Sequence, residues 1–91
     1  MGNITFEVPP FLQHLTNGIK IAKVGGNTVS ECLDDFVKQF PATMKLLFNR
    51  DGKLFGHIDI FVNGVSTFPE ELAKTVNDDD TISMLYLVDG G

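Results

Sequence analysis

The stretch GGNTVSECLDDFVKQFP, residues 25–41, holds the clearest structural signal in the chain. Thr28 is followed three residues later by Glu31, the spacing of a capping box, in which each side chain satisfies an orphan backbone N–H at a helix start. A helix is therefore predicted to begin there. Val29, Leu33, Phe36, Val37 and Phe40 recur at helical spacing and form one apolar stripe, while Glu31, Asp34, Asp35, Lys38 and Gln39 face water. Pro41 has no N–H for the helical ladder and biases Phe40 away from helix, so the element ends near residue 40. A helix with one apolar stripe needs a partner layer, and the flanking sequence supplies strands.

Residues 3–8 alternate, with Ile4, Phe6 and Val8 on one face and Asn3, Thr5 and Glu7 on the other, until Pro9-Pro10 ends the run. Residues 18–24 read as a second strand after a connection containing Asn17-Gly18, and Gly25-Gly26-Asn27 closes it with a turn; the two strands are predicted to pair as a hairpin. Beyond Pro41, ATMKLLF at 42–48 suits a short helical turn before Asp51-Gly52 reverses the chain. Alternation returns at residues 57–62, and Asn63-Gly64 supplies the residues that a tight turn with positive φ demands. Residues 68–76 fit either a short edge strand or a helical turn around Pro69, Glu70 and Glu71. Asn77 to Asp80 is a polar turn, and residues 81–88 are the last strand. The order strand, strand, helix, strand, short strand, strand is that of an α+β β-grasp (ubiquitin-like) domain, a mixed four- to five-stranded sheet covered on one face by one main helix. Residues 1–88 are expected to form this domain and residues 89–91 a flexible C-terminal tail ending in Gly-Gly.

Ninety-one residues suffice for one such domain, and 43% hydrophobic against 21% charged residues, with eight phenylalanines, is the composition of a folded core. A formal charge of −5 with only seven Lys and Arg argues against nucleic acid as a partner, because that affinity comes largely from cations displacing counterions. Basic protein surfaces are the expected partners. Cys32 stands alone, which leaves no internal disulfide or cysteine-rich metal site and fits a reducing compartment. No run approaches the roughly 20 apolar residues of a membrane span and no signal pattern opens the chain, so the expectation is a cytoplasmic protein without a membrane partner. Met1-Gly2 lacks the Ser or Thr that myristoylation wants at the sixth position, where Phe6 stands, and Asn3-Ile4-Thr5 is a glycosylation sequon in letters only.

Candidates for chemistry within the domain are few. Cys32 sits in the helix beside the apolar stripe with no sequence-local base, which favours a structural role. His14 and His57 are too separated for a metal motif and read as surface or edge residues. Asp78 to Asp80 lacks the glycine and distal glutamate of a calcium loop. With no paired acid and base and no phosphate loop, the chain reads as a substrate of enzymes rather than an enzyme.

The remaining unexplained stretch is LYLVDGG at residues 85–91, strand-forming letters followed by two glycines that add nothing to a sheet. Joined to the predicted order, it makes the chain resemble the ThiS/MoaD family of ubiquitin-like sulfur-carrier proteins, which includes the small subunit of molybdopterin synthase. The resemblance covers nearly the whole chain. It is carried by Thr28-Val29-Ser30-Glu31, Asp51-Gly52-Lys53-Leu54, Ile60-Phe61-Val62-Asn63-Gly64, the acidic turn before Thr81, and Gly90-Gly91. VPPFLQHLTNG, residues 8–18, is similar to the first hairpin of relatives that carry sulfur for cysteine synthesis, and the length of 41–54 points to the molybdopterin-type or amino-acid-type branches. Three positions depart from the family pattern: Asp79 replaces the glycine of Asp-Gly-Asp, Leu85-Tyr86-Leu87 lacks the frequent proline, and Asp89 stands where a small residue commonly precedes the glycines. Asp tolerates left-handed geometry better than most residues, so the turn is expected to survive.

The resemblance implies that Gly91 is the reacting residue and Gly90 the access residue. An E1-like adenylating enzyme would use ATP on the Gly91 carboxylate, a sulfur donor protein or sulfide would form a thiocarboxylate, and a sulfur-accepting biosynthetic enzyme would consume it. The carrier itself, a monomer when free, would bind no cofactor. Two other uses fit the same residues: a protein modifier conjugated through Gly91 to lysines, and a noncovalent ubiquitin-like binding module. For docking, the inward set Ile82, Met84 and Tyr86 leaves Leu85 and Leu87 outward with Phe61, since the last strand of a β-grasp sheet lies between the first and third. These three, with Asp89, are the predicted partner-docking residues.

Overall fold

In the computed structural model, which describes residues 3–86, the elements run β1 (Ile4–Glu7), α1 (Pro10–Gln13), β2 (Ile21–Val24), α2 (Val29–Gln39), α3 (Met44–Leu47), β3 (Ile58–Val62), β4 (Val65–Ser66) and β5 (Thr81–Tyr86). Short 3-10 turns occupy Pro41–Thr43 and Glu71–Ala73. The predicted tail, the end of the last strand at 87–88, and with them Leu87, Asp89, Gly90 and Gly91, lie outside the described residues, as do Met1 and Gly2.

The sheet has the order β2-β1-β5-β3-β4. β1 pairs antiparallel with β2 and parallel with β5, while β3 is antiparallel to both β5 and β4. A parallel neighbour requires a crossover, and the chain between β1 and β5 carries α2 over one face of the sheet. The fold is the expected β-grasp. Its core joins Ile4, Phe6, Val24, Ile58, Ile60, Ile82 and Met84 from the sheet to Val29, Cys32, Leu33 and Phe36 from α2. Phe6 and Phe36 meet with ring centroids 4.5 Å apart, and Phe40 closes the stripe 5.3 Å from Phe36.

The cap of α2 forms with one shift from the predicted pattern. The Glu31 N–H donates to Thr28 Oγ1 at 3.2 Å, but the Glu31 carboxylate accepts from the Asn27 N–H, at 2.7 Å, rather than from Thr28. Val29 N–H donates to the Lys74 carbonyl and Val76 N–H to that of Asn27, so the helix entry is tied to the strap that follows residue 73. Gly26 lies against this entry with φ +155°, and a Cβ there would sit 2.6 Å from Glu31 Cβ and 2.9 Å from the Cys32 backbone nitrogen. Gly26→Ala is expected to cost about 2–4 kcal/mol, because relief requires moving helix backbone. Denaturant titration checks this; a loss under about 0.5 kcal/mol would mean that the entry is soft.

The structure overturns two readings and decides a third that the sequence left open. Residues 18–20 are not strand: Asn17 (φ 57°) and Gly18 (φ 79°) turn the chain, and the buried Thr16 hydroxyl donates to the Ile19 carbonyl at 2.9 Å, so β2 begins at Ile21. The edge strand is β4, directly after the Asn63-Gly64 turn with its φ of 53° and 81°, and residues 68–76 take the helical alternative around Glu71–Ala73. Tyr86, assigned to the inner face with Ile82 and Met84, is 47% exposed, because the core ends at Met84 and the Tyr86 ring packs against other rings at the sheet's end. Asp79 keeps the left-handed turn, at φ 71°. Next to it the Asp80 carboxylate accepts from the Asn77 N–H and the Asn63 amide, both at 2.9 Å, which hold it below the ordinary aspartate range.

Candidate functional site

β5 is the middle strand of the sheet, and the residues that precede the diglycine leave the described structure from its end. The register decides what lies around that point. Tyr86 pairs with Ile58 at the start of β3, and the parallel pairing of β1 with β5 brings α1 alongside. Four rings converge there. Phe11 meets Tyr86 edge-on at 4.9 Å, His57 approaches Tyr86 at 4.5 Å, and Phe55 stacks on His57 at 5.2 Å. Offset and edge-to-face pairs of this kind add stability beyond the area they bury. The root of the C-terminal segment is thus an aromatic platform of four side chains drawn from three parts of the chain.

On the sheet face away from α2, Leu85 lies opposite Asp59 and Phe61 opposite Ser83, so Leu85 and Phe61 are diagonal neighbours on one face, as the alternation predicts. Leu85 is 55% exposed and Phe61 half-buried. Asp59 is fixed between them and the sheet edge: its carboxylate accepts from Ser66 Oγ at 3.1 Å, and Ser66 Oγ accepts from the Phe68 N–H at 3.3 Å. Phe68, 74% exposed, lines a groove of about 360 Å³ with Gly56, Ile58, Asp59 and Glu71. Nothing in the sequence pattern distinguishes Phe68 from a buried loop phenylalanine; its exposure follows from Thr67, whose side chain turns inward to donate to the Ile60 carbonyl at 2.8 Å. Likewise His57, read as a surface or edge residue, and Phe11 belong to the platform around Tyr86, because register and α1 place them there. The other predicted members, Leu87, Asp89, Gly90 and Gly91, lie outside the described residues.

Cys32 is buried in the core, and burial, followed by the nearby Asp35 and Glu31 charges, pushes its thiol up to about 11. A thiol so placed is a poor nucleophile at neutral pH. Native protein is expected to leave Cys32 unmodified by iodoacetamide at pH 7.5 over hours, with full alkylation in denaturant; rapid native alkylation, read by intact mass, would overturn the structural role. Among the described residues no group of three His, Cys, Asp or Glu is placed to hold a metal ion, and no helix is long and apolar enough to cross a membrane.

No family model and no curated protein sequence matches the chain. Solved structures do. A chain of the BexX/CysO complex from Amycolatopsis orientalis is 32% identical, with a TM-score of 0.83 over 97% of this chain and 99% of that one. CysO of Mycobacterium tuberculosis is 27% identical, with a TM-score of 0.85 over 94% of this chain and 100% of its own. SAMP1 of Haloferax volcanii is 26% identical, with a TM-score of 0.78 over 97% and 98%. With near-complete mutual coverage, the same mixed sheet under one main helix, and Gly90-Gly91 beyond the central strand, the chain belongs to the ThiS/MoaD family of ubiquitin-like sulfur-carrier proteins.

Proposed function

We propose that the chain carries sulfur as a thiocarboxylate on Gly91, formed by an E1-like adenylating enzyme and delivered to a biosynthetic acceptor of the molybdopterin or cysteine type. The observation that carries this reading is the diglycine four and five residues beyond Tyr86, at the end of a central strand whose outward face bears Leu85 and Phe61. The carboxylate attacks ATP, pyrophosphate leaves, and the acyl adenylate forms. Hydrosulfide, free or released by a donor protein, then attacks the acyl carbon; AMP leaves, a proton is lost, and one carboxylate oxygen has been exchanged for sulfur. A carboxylate resists nucleophiles and an acyl phosphate anhydride does not, which is the reason for the two steps. Glycines at both final positions let the acyl carbon enter a narrow site without Cβ contacts. ATP belongs to the activating enzyme, and the carrier supplies only the acyl group and the docking surface.

Intact mass of the native chain and of the product after incubation with the activating enzyme, ATP and sulfide tests this: a gain of about 16 Da marks replacement of oxygen by sulfur. High-mass conjugates would instead identify a protein modifier, the reading favoured by the likeness to small archaeal modifier protein 1 of Methanosarcina acetivorans. No change in mass, or a native chain that extends irreversibly past Gly91, would leave a noncovalent binding module. The likeness to a chain of a BexX/CysO complex supports a surface made for protein partners. For that surface, Leu85→Asp is expected to lower kcat/KM for adenylation about 10–100-fold, the scale of a buried anchor lost from an interface. Its thermal midpoint should stay near the parent's because Leu85 is exposed; equal kcat/KM would place docking elsewhere.

A further inference from the structure

The segment between α2 and β3 is built firmly onto the core, with Leu47 a member of it and Phe48, Leu54 and Phe55 packed against it. Leu47 and Thr43 are buried, Phe55 N–H donates to the Leu47 carbonyl at 3.0 Å, and Phe48 and Leu54 bridge across a small loop. Inside that loop Asn49 Oδ1 accepts from the Asp51 and Lys53 N–H groups, at 2.8 and 3.1 Å, and Gly52 takes φ 78°. On this fixed backbone Met44, 53% exposed, Phe48 and Phe55 open into a groove of about 560 Å³ whose other walls are Lys45, Asn49 and Arg50. A second hollow of about 330 Å³ shares Met44 and Phe48 and runs toward Lys38, with Asp34 on its rim.

The charge here opposes that of the whole protein. Four of the seven cationic side chains, Lys38, Lys45, Arg50 and Lys53, fall within residues 38–53 beside one carboxylate, Asp51, in a chain of formal charge −5. An apolar floor with cationic walls is complementary to a polypeptide that presents an apolar side chain flanked by carboxylates. A flat anionic membrane fits less well, because the rest of this chain of formal charge −5 repels it. The groove is also joined to the aromatic platform, since Phe55 lines the one and stacks on His57, which contacts Tyr86, in the other.

We propose that the Met44, Phe48 and Phe55 groove, walled by Lys45 and Arg50, docks an acidic, apolar segment of a protein partner on the side of the molecule that leads to the root of the C-terminal segment. Neither Leu85 nor Phe61 lines this groove. It stands whether or not Gly91 becomes a thiocarboxylate, and its test reads binding alone.

The probe is a capped hexapeptide, DELFED, titrated into isotope-labelled full-length protein and followed by amide and methionine-methyl NMR shifts. Saturable shifts confined to residues 44–55, with Kd of about 0.1–1 mM, are expected. The charge-reversed KRLFRK and the anchor-free DEGGED should give none, and raising salt from about 0.05 to about 0.5 M should weaken binding several-fold. The double substitution Lys45→Glu with Arg50→Glu should weaken it at least about 10-fold while the remaining amide spectrum, the check on folding, is unchanged. The proposal is overturned by no response at several-fold above about 1 mM, by equal response to KRLFRK, by shifts centred on Leu85 and Phe61, or by binding to phosphatidylserine vesicles without binding the peptide.

Discussion

Deletion of Gly91 should leave a protein that melts like its parent and gains no sulfur. The two halves of that result have separate causes. The buried core of the described residues ends at Met84, so removing a residue seven positions further on deletes nothing from it. The chemistry is another matter, because one residue of extended chain spans about 3.3–3.6 Å, and the shortened carboxylate stops short of the reacting phosphate by that distance. Misplacement by about 1 Å can cost 10²-fold in a positioned reaction, so adenylation should fall by at least that factor. Pyrophosphate release measures the first step and intact mass the second. A deletion variant that still gains about 16 Da would show that the partner reads any glycine end, and Gly91 would lose its role as the reacting residue.

Phe36→Ala should be the most destabilising single change in the helix. Phe36 is fully buried between Phe6 and Phe40, and its removal empties the contact through which α2 covers the sheet. Truncating a buried phenylalanine costs about 3–5 kcal/mol, much of the roughly 5–15 kcal/mol that a domain of this kind possesses. For a chain this size that corresponds to a fall in Tm of about 15–30 °C, to be measured by circular dichroism. Phe68→Ala is the matched control: the same atoms are removed from a ring that is mostly in water, and the change should stay within about 0.5 kcal/mol. Equal losses for the two would mean that α2 is not what holds the sheet.

The elements were legible where one local rule decided them. Thr28 and Glu31 started the helix and Pro41 ended it; Asn63-Gly64 made the tight turn; alternation marked β1 and β3. Legibility failed where local rules tied. Residues 68–76 have letters for both a strand and a turn, and the choice followed from Thr67 bonding back across the hairpin to Ile60 and from Val76 bonding to Asn27, 49 positions earlier in the chain. Tyr86 obeys the alternation of its strand, yet the apolar layer that would bury it stops at Met84.

For the candidate site the division is similar. Strand alternation, read with the β-grasp order, put Leu85 and Phe61 on the outward face, and the place of Cys32 beside the helix stripe marked it as structural, while the diglycine drew its meaning from the resemblance to the sulfur carriers. Only the tertiary structure brought Phe11, His57 and Phe55 to Tyr86, exposed Phe68 beside Asp59, and opened the cationic groove over Met44 and Phe48. The physical reason is that period and capping are properties of neighbours along the chain, whereas a shared surface depends on strand register and on which layer runs out first. Those are settled by the burial of Phe6, Phe36 and Ile82 together, a condition that no single segment of sequence contains.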